Sequence, residues 1–193
     1  NDDHPDNFAL AHLLLGQALK QLGDGLAAQE QFVKATQLLP NSPEAWLALA
    51  EAQAGSGKTQ LALETLQAGG QAAPDAPEIY LALGNAYLLD WENHGHASPT
   101  QALDMFRKAA DLISFGGGYK RYPECASQVS LRLGETLYEL GHIEESRKVL
   151  ESAYQASPSY PGLAQTFARS LLDLNDYREA IPVLAHVIRL DYD

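Results

Sequence analysis

The chain contains one cysteine, Cys125, so neither an internal disulfide nor a zinc site built from several cysteines can form. Methionine also occurs once, at Met105, and the first residue is Asn1. From this we expect a piece of a longer polypeptide whose targeting information lies elsewhere, and the compartment is left unspecified. Basic residues are few: 13 Lys and Arg stand against 25 Asp and Glu, giving a net charge of −12 and a pI near 4.8. Clustered cations are what neutralise a phosphate backbone, so nucleic acid is disfavoured as a partner. Basic or amphipathic polypeptides suit such a surface better. Valine and isoleucine are scarce beside leucine and alanine, which favours helices over sheets. No apolar run approaches the ~20 residues of a membrane span, so direct membrane insertion is not expected.

What the chain does have is a period. Pro40 and Pro74 each close a helical pattern, and they stand thirty-four residues apart. Shifting by that amount aligns "AHLLLGQALKQLGDGLAAQEQFVKATQLLP" with "AWLALAEAQAGSGKTQLALETLQAGGQAAP". Three further copies follow, carrying "IYLALGNAYLL", "VSLRLGETLYELGHIEESRKVLESAYQASP" and "LAQTFARSLLDLNDYREAIPVLAHVIRLD". Small residues recur at Gly16, Ala50, Gly84, Gly134 and Ala168, as a close helix–helix crossing requires. Before each lies an apolar residue expected to be buried: Leu15, Leu49, Leu83, Leu133 and Phe167. On the following helix Ala28, Ala62, Ala102, Ser146 and Ala180 align, then Phe32, Leu66, Phe106, Leu150 and Leu184. A second small row holds Ala35, Gly69, Ala109 and Ala153, with Val187 as its variant.

These rows resemble the tetratricopeptide repeat, whose units are antiparallel helix pairs, and the resemblance covers nearly the whole chain. It implies an all-α fold, an α-α superhelix of about ten helices in one array over residues 1–193. Repeats are expected near 9–42, 43–76, 77–126, 127–160 and 161–193. Caps and breakers predict helices near 8–22, 25–39, 43–55, 58–73, 77–90, 99–114, 123–140, 143–157, 161–174 and 177–191.

Residues 52–59, "AQAGSGKT", fit a phosphate-binding loop if its first glycine is relaxed to Ala52. The stretch upstream, "PEAWLALAEAQA", has helical spacing, whereas a phosphate loop needs a strand to feed it. Gly57 instead shares a row with Gly23 and Gly141, the turn between paired helices. Gly57, Lys58 and Thr59 are therefore read as a hinge and a helix start, with no nucleotide or other cofactor expected.

Gly84 and Gly134 are fifty residues apart, so the third repeat carries insertions, near 91–97 and near 115–124. Ser98-Pro99-Thr100-Gln101 looks like a capping box, leaving 91–97 as a polar loop with Trp91 packed beneath it. Asp90, Glu92, His94 and His96 could serve a metal-dependent enzyme. His94 and His96 point apart if the chain is extended, however, so no metal site and no catalytic residue is assigned. The second insertion, "SFGGGYKRYP", places Tyr119, Lys120, Arg121 and Tyr122 together, the densest basic-aromatic cluster in an acidic chain and a candidate contact loop.

In the family the first helix of each pair lines the concave groove. That resemblance makes Leu13 and Gln17, Leu47 and Glu51, and Leu81, Asn85 and Leu88 candidate groove residues, followed by Leu131, Glu135, Tyr138 and Arg169. A ladder of leucines flanked by carboxylates suits an amphipathic helix or extended peptide with some basic residues. Some members clamp the terminal carboxylate of heat-shock chaperones with Lys, Arg and Asn. Leu13, Gln17, Ala48, Glu78 and Ala82 hold the matching places here, so that clamp is not expected. The implied activity is non-enzymatic protein binding. A scaffold role through end surfaces is the alternative, including homodimerisation through the last helix, where Ile181, Leu184 and Ile188 have no following repeat.

Overall fold

A computed structural model of the chain describes residues 5–117 and 122–190, with side chains from Asn7 to Gly117 and from Tyr122 to Arg189. Ten α-helices and no strand occur among the described residues: α1 (Pro5–Gln21), α2 (Gly25–Leu38), α3 (Pro43–Gly55), α4 (Thr59–Ala72), α5 (Pro77–His94), α6 (Pro99–Phe115), α7 (Pro123–Glu139), α8 (Ile143–Ala156), α9 (Leu163–Asp173) and α10 (Tyr177–Leu190). They form two compact units, Asn1–Ala97 with α1 to α5 and Ser98–Asp193 with α6 to α10.

Proline starts five of the described helices, Pro5, Pro43, Pro77, Pro99 and Pro123, where its missing N–H costs no hydrogen bond. Ser98 caps α6 in the expected box: its Oγ accepts from Thr100 N–H at 3.2 Å, and Gln101 Oε1 accepts from Ser98 N–H at 2.9 Å. Turns within pairs need one residue in the left-handed region, filled by Gly23 (φ 83), Gly57 (φ 76) and Gly141 (φ 81). Asn175 (φ 62) takes the same place in the last pair, as asparagine can. A Cβ on Gly57 would meet nothing within 4 Å, so only backbone strain opposes it. Gly57→Ala should therefore cost about 1 kcal/mol, and Gly57→Asn distinctly less, in urea denaturation followed by circular dichroism.

One expected boundary is corrected. Trp91 stands where this row would place its glycine, so nothing stops the helix and α5 runs on to His94. It ends at Gly95, φ 66, about one turn later. Residues 91–94 are thus helix, and Trp91 is 42% exposed rather than packed beneath a loop.

Each unit repeats one packing rule. In the first, α1, α3 and α5 touch along one side, with α2 lodged between α1 and α3, and α4 between α3 and α5. Phe32 of α2, buried with Leu13, Ala28, Ala35, Ala45 and Leu49, lies over Gly16 of α1. In the second unit Leu150 of α8 lies over Gly134 of α7 in the same way and joins Leu163, Phe167 and Leu171 of α9. The glycines allow this because a Cβ at either would fall 2.5 Å from the side chain above.

A second expectation fails at one end. Leu49, Leu83, Leu133 and Phe167 are buried as expected, but Leu15 of the same row is 48% exposed. The first four are covered by α2, α4, α6 and α8, the helix preceding each. No described helix precedes α1.

Candidate functional site

The first unit carries a hollow of about 370 Å³ between α3, α4 and α5. Its walls are Leu47 of α3, Leu66 of α4 and Leu89 of α5, and alanines 50, 54, 62, 82 and 86 make up most of the remaining surface. The cause is legible in the residues: "LALAEAQA" on α3 and "LALGNAYLL" on α5 face each other with methyl groups, too short to meet. Two polar side chains reach the hollow, Glu51 and Asn85. Lys20 of α1 holds Glu51 at 2.7 Å, an exposed pair worth little to stability but able to orient the carboxylate. Asn85 turns Oδ1 inward, where it is buried without a hydrogen-bond partner.

The structure thus brings three sequence-predicted groove residues, Leu47, Glu51 and Asn85, to one hollow. Leu13 and Leu81 are buried inside the unit at 9% and 7% exposure, Leu88 is half-buried, and Gln17 is exposed. Leu66, Leu89, Ala62 and Ala86 line the hollow without having been singled out for it. Only the spacing of small residues hinted at their role.

In the second unit Tyr138 of α7 and Arg169 of α9 meet, the guanidinium carbon lying 4.5 Å from the ring centre. The Tyr138 hydroxyl donates to Asp173, one helical turn beyond Arg169. That hydrogen bond to Asp173, with burial, pushes the Tyr138 hydroxyl pKa above its ordinary value. Glu135 accepts from Arg132 at 3.2 Å, and half-buried Leu131 packs where a Cβ on Gly162 would lie, 3.2 Å from its methyl. On the outer helices Arg107 pairs with Glu145 at 2.8 Å and Arg147 with Glu179 at 2.7 Å.

Of the loop residues Tyr119, Lys120, Arg121 and Tyr122, the first three lie outside the described residues. Tyr122 is half-buried at the start of α7, its ring 3.0 Å from where a Cβ on Gly116 would stand. Around α5, His94 and His96 do not point apart. Gly95 turns the chain so that the two rings stack, 5.6 Å between centres, with Nδ1 atoms 3.3 and 3.9 Å from one oxygen of Asp90. Among the described residues no group of three or more His, Cys, Asp or Glu side chains is placed to hold a metal ion. Gly57, Lys58 and Thr59 follow α3 and open α4, and Lys58 Nζ donates to Gln29 Oε1 at 3.3 Å. No described helix is long and apolar enough to cross a membrane.

Solved structures share this fold at low sequence identity. A structure titled for functional characterisation of Pseudomonas aeruginosa PilF superposes with a TM-score of 0.76 at 19% identity, covering 96% of this chain and 77% of that one. A crystal structure of MamA gives 0.71 at 18% identity, covering 92% and 94%. MamA from Desulfovibrio magneticus RS-1 gives 0.69 at 15% identity, covering 95% of each chain. No curated protein matches the sequence significantly. The family profile described as Tetratricopeptide repeat matches residues 19–86 and 137–193, well over half of the chain. With that match, the recurring small-over-large packing and the helix pairs, the chain belongs to the tetratricopeptide repeat family.

Proposed function

We propose that the chain is a non-enzymatic protein-interaction module that captures a partner polypeptide, an amphipathic helix or an extended peptide, through the faces of its first-of-pair helices. The observation that carries this reading is the apolar hollow beside Leu47, with Glu51 and Asn85 at its surface. Hollows of a few hundred Å³ with apolar walls and few polar groups are where ligands anchor. This one has room for one large apolar side chain, and Glu51 together with the net charge of −12 favours a basic residue beside that anchor. Tyr138 and Arg169, with Glu135 and Leu131, offer a second contact region on the other unit, and Tyr119, Lys120, Arg121 and Tyr122 a candidate contact loop. The exposed Ile181 and Ile188 of α10 support a second role, as a scaffold acting through its end surfaces.

Selection of a random peptide library against the chain tests the first role. Enriched peptides should carry a bulky apolar residue with a basic neighbour. Leu47→Asp should weaken their binding at least about tenfold while leaving the helical signal unchanged. Affinity untouched by Leu47→Asp would remove the hollow from the binding surface. Leu81→Asp is a poorer probe, because Leu81 is 7% exposed and a carboxylate there would disturb the core first.

A further inference from the structure

Lys20, Ala54 and Tyr138 share one row of the repeat, and Glu51, Asn85 and Arg169 share another on the next first-of-pair helix. In two places the first row reaches across to the second. Lys20 of α1 meets Glu51 of α3 at 2.7 Å, and the Tyr138 ring of α7 lies 4.5 Å from the guanidinium carbon of Arg169 on α9. Between α3 and α5 the same step fails. Ala54 is too short to cross, and Asn85 keeps a buried Oδ1 without a hydrogen-bond partner.

The hollow is the space left by that missing side chain. Ala54, Asn85 and Leu89 line it, and their counterparts in the second unit are Tyr138, Arg169 and Asp173. There the Tyr138 ring lies on Arg169 while its hydroxyl donates to Asp173. Ala82 and Ala86 of the wall are likewise smaller than their counterparts, Thr166 and Ser170. The first unit thus leaves open a place where the second carries its own phenol.

Chemistry selects what can fill it. An ammonium or guanidinium would lose its water among Leu47, Leu66 and Leu89, with only an amide beside it. Leucine or phenylalanine would shut water out of the hollow and leave the Asn85 oxygen unpaired. A phenol buries its ring against the leucines and brings one donor of its own.

Resting on the reading of the hollow as a binding site, we infer that the residue it captures is a tyrosine of the partner. The ring takes the place that Tyr138 fills in the second unit. Its hydroxyl donates to Asn85 Oδ1, which a turn about the Cβ–Cγ bond of Asn85 brings to face the hollow. The basic neighbour expected beside the anchor then lies by Glu51.

Isothermal titration of the 193-residue chain with library-selected peptides provides the test. The enriched sequences should share a tyrosine. Replacing it by phenylalanine in the peptide should weaken binding to the parent chain about tenfold, and hardly at all to Asn85→Ala. Ala54→Tyr should fill the hollow from α3 itself and reduce affinity at least about tenfold. Ala54 is exposed, so the helical signal should be that of the parent chain. Should Ala54→Tyr fold poorly, the peptide substitution decides alone, because it leaves the protein untouched. Leucine or phenylalanine as the selected anchor, with binding still lost on Leu47→Asp, would overturn the tyrosine and keep the hollow. So would tyrosine peptides indifferent to their hydroxyl, or equally sensitive to it in Asn85→Ala. Binding that survives Ala54→Tyr but not Leu47→Asp would overturn the place given to the ring. Binding that survives both, or a library without binders, would remove the hollow and the tyrosine together.

Discussion

Gly134→Leu should destabilise the second unit by about 3 kcal/mol, a large effect for a residue with no side chain. Helix propensity argues the other way, since leucine is preferred over glycine inside a helix by nearly 1 kcal/mol. Packing decides the sign. Even the first carbon of a new side chain would fall 2.5 Å from both Cγ and Cδ2 of Leu150. Leu150 is fully buried among Ala153, Leu163, Phe167 and Leu171, and has nowhere to move. The strain must then push α8 from α7, and the loss exceeds the propensity gain several-fold. Chemical denaturation would show the midpoint falling with little change in slope if the native state stays compact. Gly55→Leu supplies a control, for a Cβ there meets nothing within 4 Å.

Phe32→Ala is expected to be the most damaging change in the first unit, by about 3 to 5 kcal/mol. Phe32 is 1% exposed, and its ring covers Gly16 while touching the cluster of Leu13, Ala28, Ala35 and Leu49. Truncation removes the apolar transfer energy of a ring and leaves a cavity whose floor, Gly16, has no side chain to fill it. Phe32→Leu should recover more than half of the loss, because leucine fills the corresponding place over Gly134. Thermal unfolding followed at 222 nm would order the three proteins parent, leucine, alanine. A Phe32→Ala chain as stable as the parent would contradict the packing described for α1 and α2.

Much of this architecture could be read from the residues because the repeat imposes the same local demand five times. Gly16 and Gly134 appear in the sequence as small residues in a row, and each proves to lie beneath a large one, Phe32 and Leu150. Prolines at the first helical turn and glycines at the inner turns fixed most boundaries to within a few residues. The exception at α5 has the same physics in reverse, since Trp91 replaces the turn glycine and the helix continues to Gly95.

The candidate site was less legible. Leu13, Leu47 and Leu81 occupy equivalent places in three repeats, yet Leu13 and Leu81 are buried and Leu47 opens onto the hollow. Spacing along one helix cannot distinguish them, because burial depends on what the neighbouring helices bring. Opposite Leu47 they bring Ala82 and Ala86, whose methyl groups leave the space unfilled. The bond from Tyr138 to Asp173 joins residues thirty-five apart, and the stacking of His94 on His96 depends on one left-handed glycine. Neither had a local signature.

Methyl-resolved NMR of the chain, titrated with a peptide selected for binding, tests the central claim most directly. The account predicts that the methyl signals of Leu47, Leu66 and Leu89 shift most and together, with one saturation curve, and that Leu47→Asp abolishes the response. Shifts confined to outward-facing residues such as Leu26, Leu38 and Leu61, with those three signals unmoved, would contradict it.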